Sequence, residues 1–595
     1  MFIKVFSLLY LTGYNQLQQR LLVLMGLVNN QYRYMQDLEQ IEQAVQPRNT
    51  FPLTGKGPSP LRVGMLMKYL STYPDQRFAL YIYSGIQNGF HIGFNRRYSL
   101  KTLDRNHTSC RENPSVVTTY LQTELATGHL CGPIGATRGV HTSPMGLIPK
   151  PRSDRWRLIV DLSSPWGASI NDGIDEDLCS LKYATMDNVM EVVRDLGRGT
   201  QLVKMDLSEA YRIVPIHPDD HYLLGIKWQG DIFIDRSLPF GLRSAPKIFT
   251  AVADALAWAL TCEGIFLLHY LDDYLLFSPP GTDADYTRSL AEATFDQLGA
   301  PIAPHKTAGP ATALTFLGIH VDTIEFQLSL PPEKVTALQS SLRRWIHRTV
   351  CTKRELESML GHLSHAATVI RHGRIFLRHL FSRLSCVSRP HHFVRLDVEA
   401  RTDLRWWHCL LNHWNRRSSF PPHVPSVHIF SDASGSFGSG AISSELDHWF
   451  QIRWPSSWAD IDISAKELVP IVISAVLWGP WLARKHVCFH SDNEGVVKVL
   501  QKHHAKCPLL THLLRCLYFY TSYFNFHYSA EHIAGVENVK ADAISLNNLN
   551  IMSSFAPQML QSPVPPEVTD FILHHSPDWG SPHWIERFTR SLPRA

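Results

Sequence analysis

Paired cysteines, long apolar runs and an imbalance of charge are all missing from this chain. Its 595 residues include 10 cysteines, and no two of them stand as Cys-x-x-Cys, which excludes a disulfide framework and a four-ligand zinc ribbon. A reducing, intracellular home in the cytoplasm or nucleus is therefore expected. No stretch of about 18 uninterrupted apolar residues occurs, so no membrane partner is expected. The short run Val5 to Tyr10 after Lys4 lacks a small-residue cleavage site and reads as ordinary sequence rather than a signal peptide. Lys and Arg number 57 against 53 Asp and Glu, a net +4. So small an excess argues neither for nor against a nucleic-acid partner, because clustering matters more than the total. No fixed-period repeat is found either.

What is present is a composition that folds, with 44% hydrophobic and 18% charged residues. The length exceeds the roughly 250 to 300 residues that one hydrophobic core sustains, so several domains are expected. Residues 1–55 form a leucine- and glutamine-rich N-terminal extension, and Gly55-Lys56-Gly57-Pro58 opens a helical upstream region, 56–135. Residues 136–330 turn from glycine, proline and β-like runs such as Trp156 to Val160 into strands alternating with helices, the pattern of a sheet covered on one side. In 331–395 apolar residues (Leu338, Leu342, Leu356, Leu360, Leu363) recur at helical spacing among many Arg and His. A Trp/Arg-rich helix and the Phe420-Pro421-Pro422 break fill 396–425. A second α/β domain occupies 426–546, and 547–595 reads as a proline-rich linker or tail.

Two acidic constellations carry the chemistry. Tyr270-Leu271-Asp272-Asp273 lies between two β-prone runs, so the aspartates are expected at or beside a hairpin turn. Two carboxylates about 4 Å apart repel by roughly 4 kcal/mol at an effective dielectric of 20, and a divalent cation relieves that repulsion. A plain turn is the alternative, since Asp favours turns. A second pair, Asp219-Asp220 after Pro218, is expected as a solvated helix N-terminus. Company strengthens the first pair. Asp206 ends an apolar strand with Tyr211 five positions on, and Leu238-Pro239-Phe240-Gly241-Leu242 leads through Ser244-Ala245-Pro246 into a helix that Ser244 is expected to cap.

Strand-Asp-x4-Tyr, LPFGL-x-SAP, Y-x-DD and Phe316-Leu317-Gly318-Ile319, in that order, resemble the consecutive motifs of reverse transcriptases. The resemblance implies a multidomain α/β (α+β) chain built as a right-hand polymerase, with fingers and a ferredoxin-like palm over 136–330 and a helical thumb over 331–395. It implies that Asp206, Asp272 and Asp273 hold two Mg²⁺ ions, or Mn²⁺ in their place, with Asp206 and Asp272 the firmer ligands. It implies that Tyr211 excludes a ribose 2′-hydroxyl, that Phe240 and Gly241 line the nucleotide pocket, and that Arg157 and Lys150 grip the triphosphate. Lys306 falls near the leaving pyrophosphate. For Tyr211 and Phe240 plain core packing is the alternative, and for Lys150 and Lys306 a solvated loop lysine.

In the second constellation, Ser431-Asp432-Ala433-Ser434 ends a strand, Glu467 follows the opening of an apolar helix, and Asp492 follows another strand. His532 and then Asp542 come last. Each alone could be a turn or a cap. Their order resembles the ribonuclease H fold, which implies that Asp432, Glu467, Asp492 and Asp542 hold two more Mg²⁺ ions and that His532 assists product release. Arg- and His-rich helices from Leu342 to Arg383 would track a duplex backbone.

The implied partners are an RNA template, a DNA primer, deoxynucleoside triphosphates and the RNA–DNA hybrid. The implied activities are RNA-directed DNA polymerase and ribonuclease H. Ser59 to Val63, the Asn171-Asp172-Gly173 turn and Asp578 to Pro582 resemble the polyprotein of DIRS-type retrotransposons, whose next domain would be a tyrosine recombinase. Neither Asp-Thr/Ser-Gly nor a Cys-Cys-His-Cys knuckle is present, which speaks against a gypsy-like or retroviral fragment, and hepadnaviral or caulimoviral polymerases are less close. The rival is a catalytically silent nucleic-acid-binding remnant or domesticated protein. A zinc hydrolase is disfavoured because Pro218 interrupts His217 to His221 and no acid accompanies the other histidine pairs.

Overall fold

Six elements in the order β-α-β-β-α-β build the sheet that carries the first constellation. They are β1 (Gln201–Asp206), α1 (Ala245–Cys262), β2 (Phe266–Tyr270), β3 (Asp273–Ser278), α2 (Ala284–Leu298) and β4 (Ala308–Ala311). The computed structural model describes residues 31–43, 55–103, 105–134, 139–149, 156–389, 391–414, 416–420, 424–548, 550, 554 and 558–573. It divides into two compact units, Met1–Leu314 and Thr315–Ala595.

In the first unit the sheet order is β2-β3-β1-β4 with every pair antiparallel, which is the ferredoxin-like palm. Strand alternation decides what each face does. Tyr274 points to one face, where its hydroxyl donates to Ala253 O of α1 at 3.1 Å and its ring meets Phe295 of α2 edge-on. Both helices therefore cover that face. Asp206 and Asp273, directly opposite each other in register, point to the other face. Helix α1 is buried along most of its length, and its two buried charges are paired: Lys247 with Asp37 at 2.9 Å, Asp254 with His269 at 2.8 Å.

Asp37 belongs to the helix Gln31–Gln43, whose Met35 and Leu38 enter the same core as α1. Part of the N-terminal extension is thus palm core. The upstream region joins it through Leu66, Leu70, Phe78 and Ile82. Two sequence expectations fail locally. Ser244 makes no capping bond, and its hydroxyl donates instead to Ile92 O at 2.8 Å. Asp220 is not solvated but 1% exposed, accepting from Ile92 N–H at 3.0 Å and facing His91 and Arg96. A loop remote in sequence buries it, which no local pattern could indicate.

In the second unit, helices α3 (Pro332–Trp345), α4 (Lys353–Val369), α5 (Arg378–Ser385) and α6 (Val398–His413) bury the leucines that the spacing picks out, and Trp406 and Trp407 with them. Thr352 and Glu355 close a capping box at the start of α4. The ribonuclease H-like part follows. Its strands are β5 (Val427–Ala433), β6 (Gly438–Ser443), β7 (His448–Arg453), β8 (His486–Ser491) and β9 (His527–His532), and its helices are α7 (Ile463–Leu477), α8 (Glu494–Lys502), α9 (Pro508–Phe524) and α10 (Val539–Ser545). A further strand, β10 (Leu560–Gln561), and helix α11 (Pro566–Leu573) follow.

The sheet order is β9-β8-β5-β6-β7-β10, with β5, β8 and β9 parallel. Within the linker or tail expected over 547–595, Leu560–Gln561 forms a strand and Pro566–Leu573 a helix instead. The strand pairs with β7, and the stretch after it is pinned by Trp478 Nε1 donating to Ser562 and Trp458 Nε1 donating to Leu573 O. Among the described residues no helix is long and apolar enough to cross a membrane.

One buried network ties the upstream region to the palm. The Arg212 guanidinium donates to both carboxylate oxygens of Asp235 at 2.8 and 2.9 Å and to Glu124 at 2.7 Å. Removing its charge strands the buried Asp235 and leaves half-buried Glu124 with His129 alone, so Arg212→Met should destabilise this unit by about 3–5 kcal/mol in urea unfolding. A loss below about 1 kcal/mol would mean the network is not load-carrying in the folded state.

Two candidate active sites

The palm site is set by main-chain register. β2 and β3 join through a two-residue turn, Leu271-Asp272, with Tyr270 and Asp273 paired at its base. Leu271 adopts φ 54°, a left-handed conformation costly for a branched residue. Leu207 N–H holds the turn by donating to Asp272 O at 3.0 Å. Asp272 thereby comes beside Asp206 and Asp273, and its carboxyl is raised above the usual range by burial and by those two negative charges. Two lysines offset the remaining charge: Lys306 Nζ lies 2.7 Å from Asp206 Oδ1, and Lys204 Nζ 2.9 Å from Asp273 Oδ1.

Sequence reading put Lys306 near the phosphates and overlooked Lys204. A cation position on Asp206 exists and the half-exposed Lys306 ammonium fills it. Asp206 and Asp272 fit a divalent ion once that flexible side chain moves away, whereas Asp273 is engaged by Lys204.

Around the acids, Tyr211 sits in the 3₁₀ turn Ala210–Ile213 next to Arg212. Its ring meets Phe240 and Phe249 edge-on at 5.0 and 5.2 Å, and burial pushes its phenol up to about 12. Phe240 is 43% exposed, and Gly241 follows at φ 88°, a conformation glycine adopts freely. Asn171, also missed as a site residue, fixes that loop: its amide donates to Gly241 O at 2.9 Å and its carbonyl accepts from Arg243 N–H at 2.8 Å. Arg157 is exposed on the hairpin strand Trp156–Val160, whose Leu158 and Val160 share a small cavity with Phe240. Lys150 lies outside the described residues.

The second site is tighter. Asp432 ends β5, Glu467 lies in the first turns of α7, and Asp492 follows β8, with one carboxylate oxygen of each within 4.8 Å of the others. Asp462 caps α7 by accepting from Ser464 N–H, and Lys466 Nζ ties the helix start to Gly435 O and Ala459 O. Burial, then the charges of Asp432 and Asp492, push Glu467 up to about 9, and burial chiefly pushes Asp432 up to about 6. Glu467 Oε2 is buried and has no hydrogen-bond partner among the described residues. Three crowded acids with an orphaned oxygen fit a hard divalent cation.

The other two residues stand apart. Asp542 is exposed on α10, outside the tight group, although its charge reaches Asp432. His532 Nε2 donates to Asp492 O at 3.1 Å from the exposed end of β9.

Residues 148–321 match the family described as reverse transcriptase (RNA-dependent DNA polymerase). This stretch is a reverse transcriptase domain. The chain is also 22% identical over 439 residues, 70% of its length and 60% of the relative's, to the enzymatic polyprotein of Figwort mosaic virus (strain DxS). It is 23% identical over 251 residues, 40% of its length and 23% of the relative's, to the retrovirus-related Pol polyprotein from transposon gypsy of Drosophila melanogaster. The reverse transcriptase domain therefore has a gypsy relative despite the missing protease motif. That motif discriminates poorly when the chain spans so small a share of the relative. A solved foamy viral protease–reverse transcriptase in complex with double-stranded DNA is 15% identical, with a TM-score of 0.43, over 82% of this chain and 84% of the other. The fold rests instead on the strand orders given above.

The raised Glu467 carboxyl makes stability depend on pH. Because the folded state holds this proton more tightly than the unfolded chain, metal-free stability is highest below pH 4.5 as far as this group is concerned and is lost as pH rises toward about 9. Glu467→Gln should raise metal-free stability at pH 8 by on the order of 1 kcal/mol or more and flatten that slope. Thermal melts of both proteins in chelator across this pH range check it; parallel curves would contradict it.

Proposed function

We propose that the chain is an RNA-directed DNA polymerase with a ribonuclease H, taking an RNA template, a DNA primer and deoxynucleoside triphosphates and cleaving the RNA of the resulting hybrid. The observation that carries this is the convergence of Asp206 and Asp272 on the open face of a ferredoxin-like sheet within a reverse transcriptase domain. The second carboxylate group supports the ribonuclease H half. The finer placement, in a DIRS-type retrotransposon, is supported by the Ser59 to Val63, Asn171 to Gly173 and Asp578 to Pro582 motifs alone.

Asp206 and Asp272, assisted by Asp273, are the residues to hold divalent ions in the palm; Asp432, Glu467 and Asp492, with Asp542 at the rim, are those in the second site. Mg²⁺, or Mn²⁺ in its place, supplies charge stabilisation for phosphoryl transfer when bound there. The chain's own groups do the rest. Lys306 leaves Asp206 and turns its ammonium to the phosphates, a point charge freed where negative charge builds up. Arg157 and Lys150 clamp the triphosphate, the former with a forked donor. Tyr211, neutral and wedged between Phe240 and Phe249, presents a rigid wall to the sugar. Phe240 and Gly241 shape the pocket, and His532 loosens product beside Asp492.

Primer extension on an RNA template tests the polymerase. Asp272→Ala should lower extension by roughly 100-fold or more, while Glu467→Ala should spare extension and abolish cleavage of RNA in a hybrid. Extension unchanged by Asp272→Ala overturns the palm assignment, and equal hybrid cleavage by Glu467→Ala overturns the second. Tyr211→Ala should cut discrimination against ribonucleotides by about 10-fold or more in the same assay; unchanged discrimination removes Tyr211 from that role.

A further inference from the structure

A second cluster of ligand-type side chains lies on the ribonuclease H-like sheet and takes no part in the chemistry above. β5 and β8 run parallel with His428 opposite Cys488 and Phe430 opposite His490. Strand alternation sends His428 and Phe430 to one face, and Cys488 and His490 to the same face, as the stacked rings of Phe430 and His490 (4.5 Å, 12°) require. There His428 Nδ1 and His490 Nε2 lie 2.9 Å apart, and one ligand atom from each of His428, Cys488 and His490 lies within 4.8 Å of the others. Cys488 is fully buried, His490 is 9% exposed and His428 is half-buried, so the group reaches solvent chiefly through His428. Beside it, exposed Glu531 stands opposite His490 in β9 and exposed Glu445 accepts from the main-chain N–H of His428 at 3.3 Å.

The plain explanation is a hydrogen-bonded pair of imidazoles at the edge of a core. It accounts for the two rings; the Cys488 thiol, which also hydrogen-bonds Ser529 and Glu531, is brought to the same point by the register of the two strands, so all three side chains face one position.

We propose that His428, Cys488 and His490 form a binding site for a borderline-soft divalent transition-metal ion, Zn²⁺, with the fourth position open to water. Two nitrogens and one sulfur are the donor set that Zn²⁺ takes. Tetrahedral bonds of about 2.0–2.1 Å to nitrogen and 2.3 Å to sulfur put donor atoms roughly 3.3–3.6 Å apart, so side-chain shifts of about 1 Å or less close the site. Coordination releases the thiol proton to solvent, and the ring proton lying between the two imidazoles shifts through solvent to the far nitrogen of its own ring, leaving both facing nitrogens free to bind. Glu531 and Glu445 add negative charge that favours a cation. Because Asp432 and Asp492 lie farther along these same two strands, the ion would cross-link the strands that carry two of the three crowded acids. It positions those acids and touches no substrate.

Cobalt substitution in the full chain tests this with a readout that carboxylate sites do not give. Co²⁺ at the site should produce a thiolate-to-cobalt charge-transfer band together with tetrahedral ligand-field bands. Cys488→Ser should abolish the charge-transfer band. His428→Gln, at a half-buried position that tolerates the change, should weaken Zn²⁺ binding in a chelator competition by roughly 10- to 100-fold. Glu467→Gln should leave the charge-transfer band in place, which separates this site from the acidic one and its fate from that of the proposed activity. No thiolate band in the parent chain, a band that survives Cys488→Ser, or undiminished Zn²⁺ affinity in His428→Gln would overturn the proposal. Should Cys488→Ser fail to fold, the parent spectrum and the His428→Gln affinity still decide.

Discussion

Like charges held side by side by main-chain hydrogen bonds are the constraint around which both carboxylate groups are organised. In the palm, antiparallel register sets Asp206 against Asp273, and a two-residue turn adds Asp272. The ladder, held by the core of Tyr274, Phe295 and α1, fixes the main-chain positions from which Asp206 and Asp273 project to one face. Repulsion is therefore a property of the fold, to be offset by whatever cation is at hand.

The two groups meet that constraint differently. In the palm the offset is ionic: Lys306 on Asp206 and Lys204 on Asp273. Both ammonium groups are on long flexible stems, and the half-exposed Lys306 can be exchanged for another cation at little cost. In the second group no lysine among the described residues pairs with the acids; Lys466, next to Glu467 in sequence, bonds to main-chain carbonyls instead. Burial then keeps Glu467 protonated, with one oxygen unsatisfied. A site of the first kind exchanges cations, and a site of the second kind exchanges a proton for one.

Much of this was legible before any coordinates. Asp272 at a hairpin tip follows from a Tyr-Leu-Asp-Asp run between β-prone segments, and the buried leucines of α3 and α4 follow from helical spacing. Contacts between residues remote in sequence were not legible. Asp220 looks like a solvated turn residue until Ile92 and His91 close over it, and Asn171 looks like a turn until it clamps Gly241. β10 was hidden because two residues in a proline-rich stretch carry no periodicity, and only the open edge of β7 gives them a partner. The His428, Cys488 and His490 group was hidden for the same reason, since it depends on the register of two parallel strands.

The most direct test of the central claim is anomalous diffraction from crystals of the full chain soaked in Mn²⁺. An electron-dense ion is expected between Asp206 and Asp272, with Lys306 swung away from Asp206, and another among Asp432, Glu467 and Asp492. Absence of anomalous density at both places, with Lys306 still on Asp206, would contradict the account.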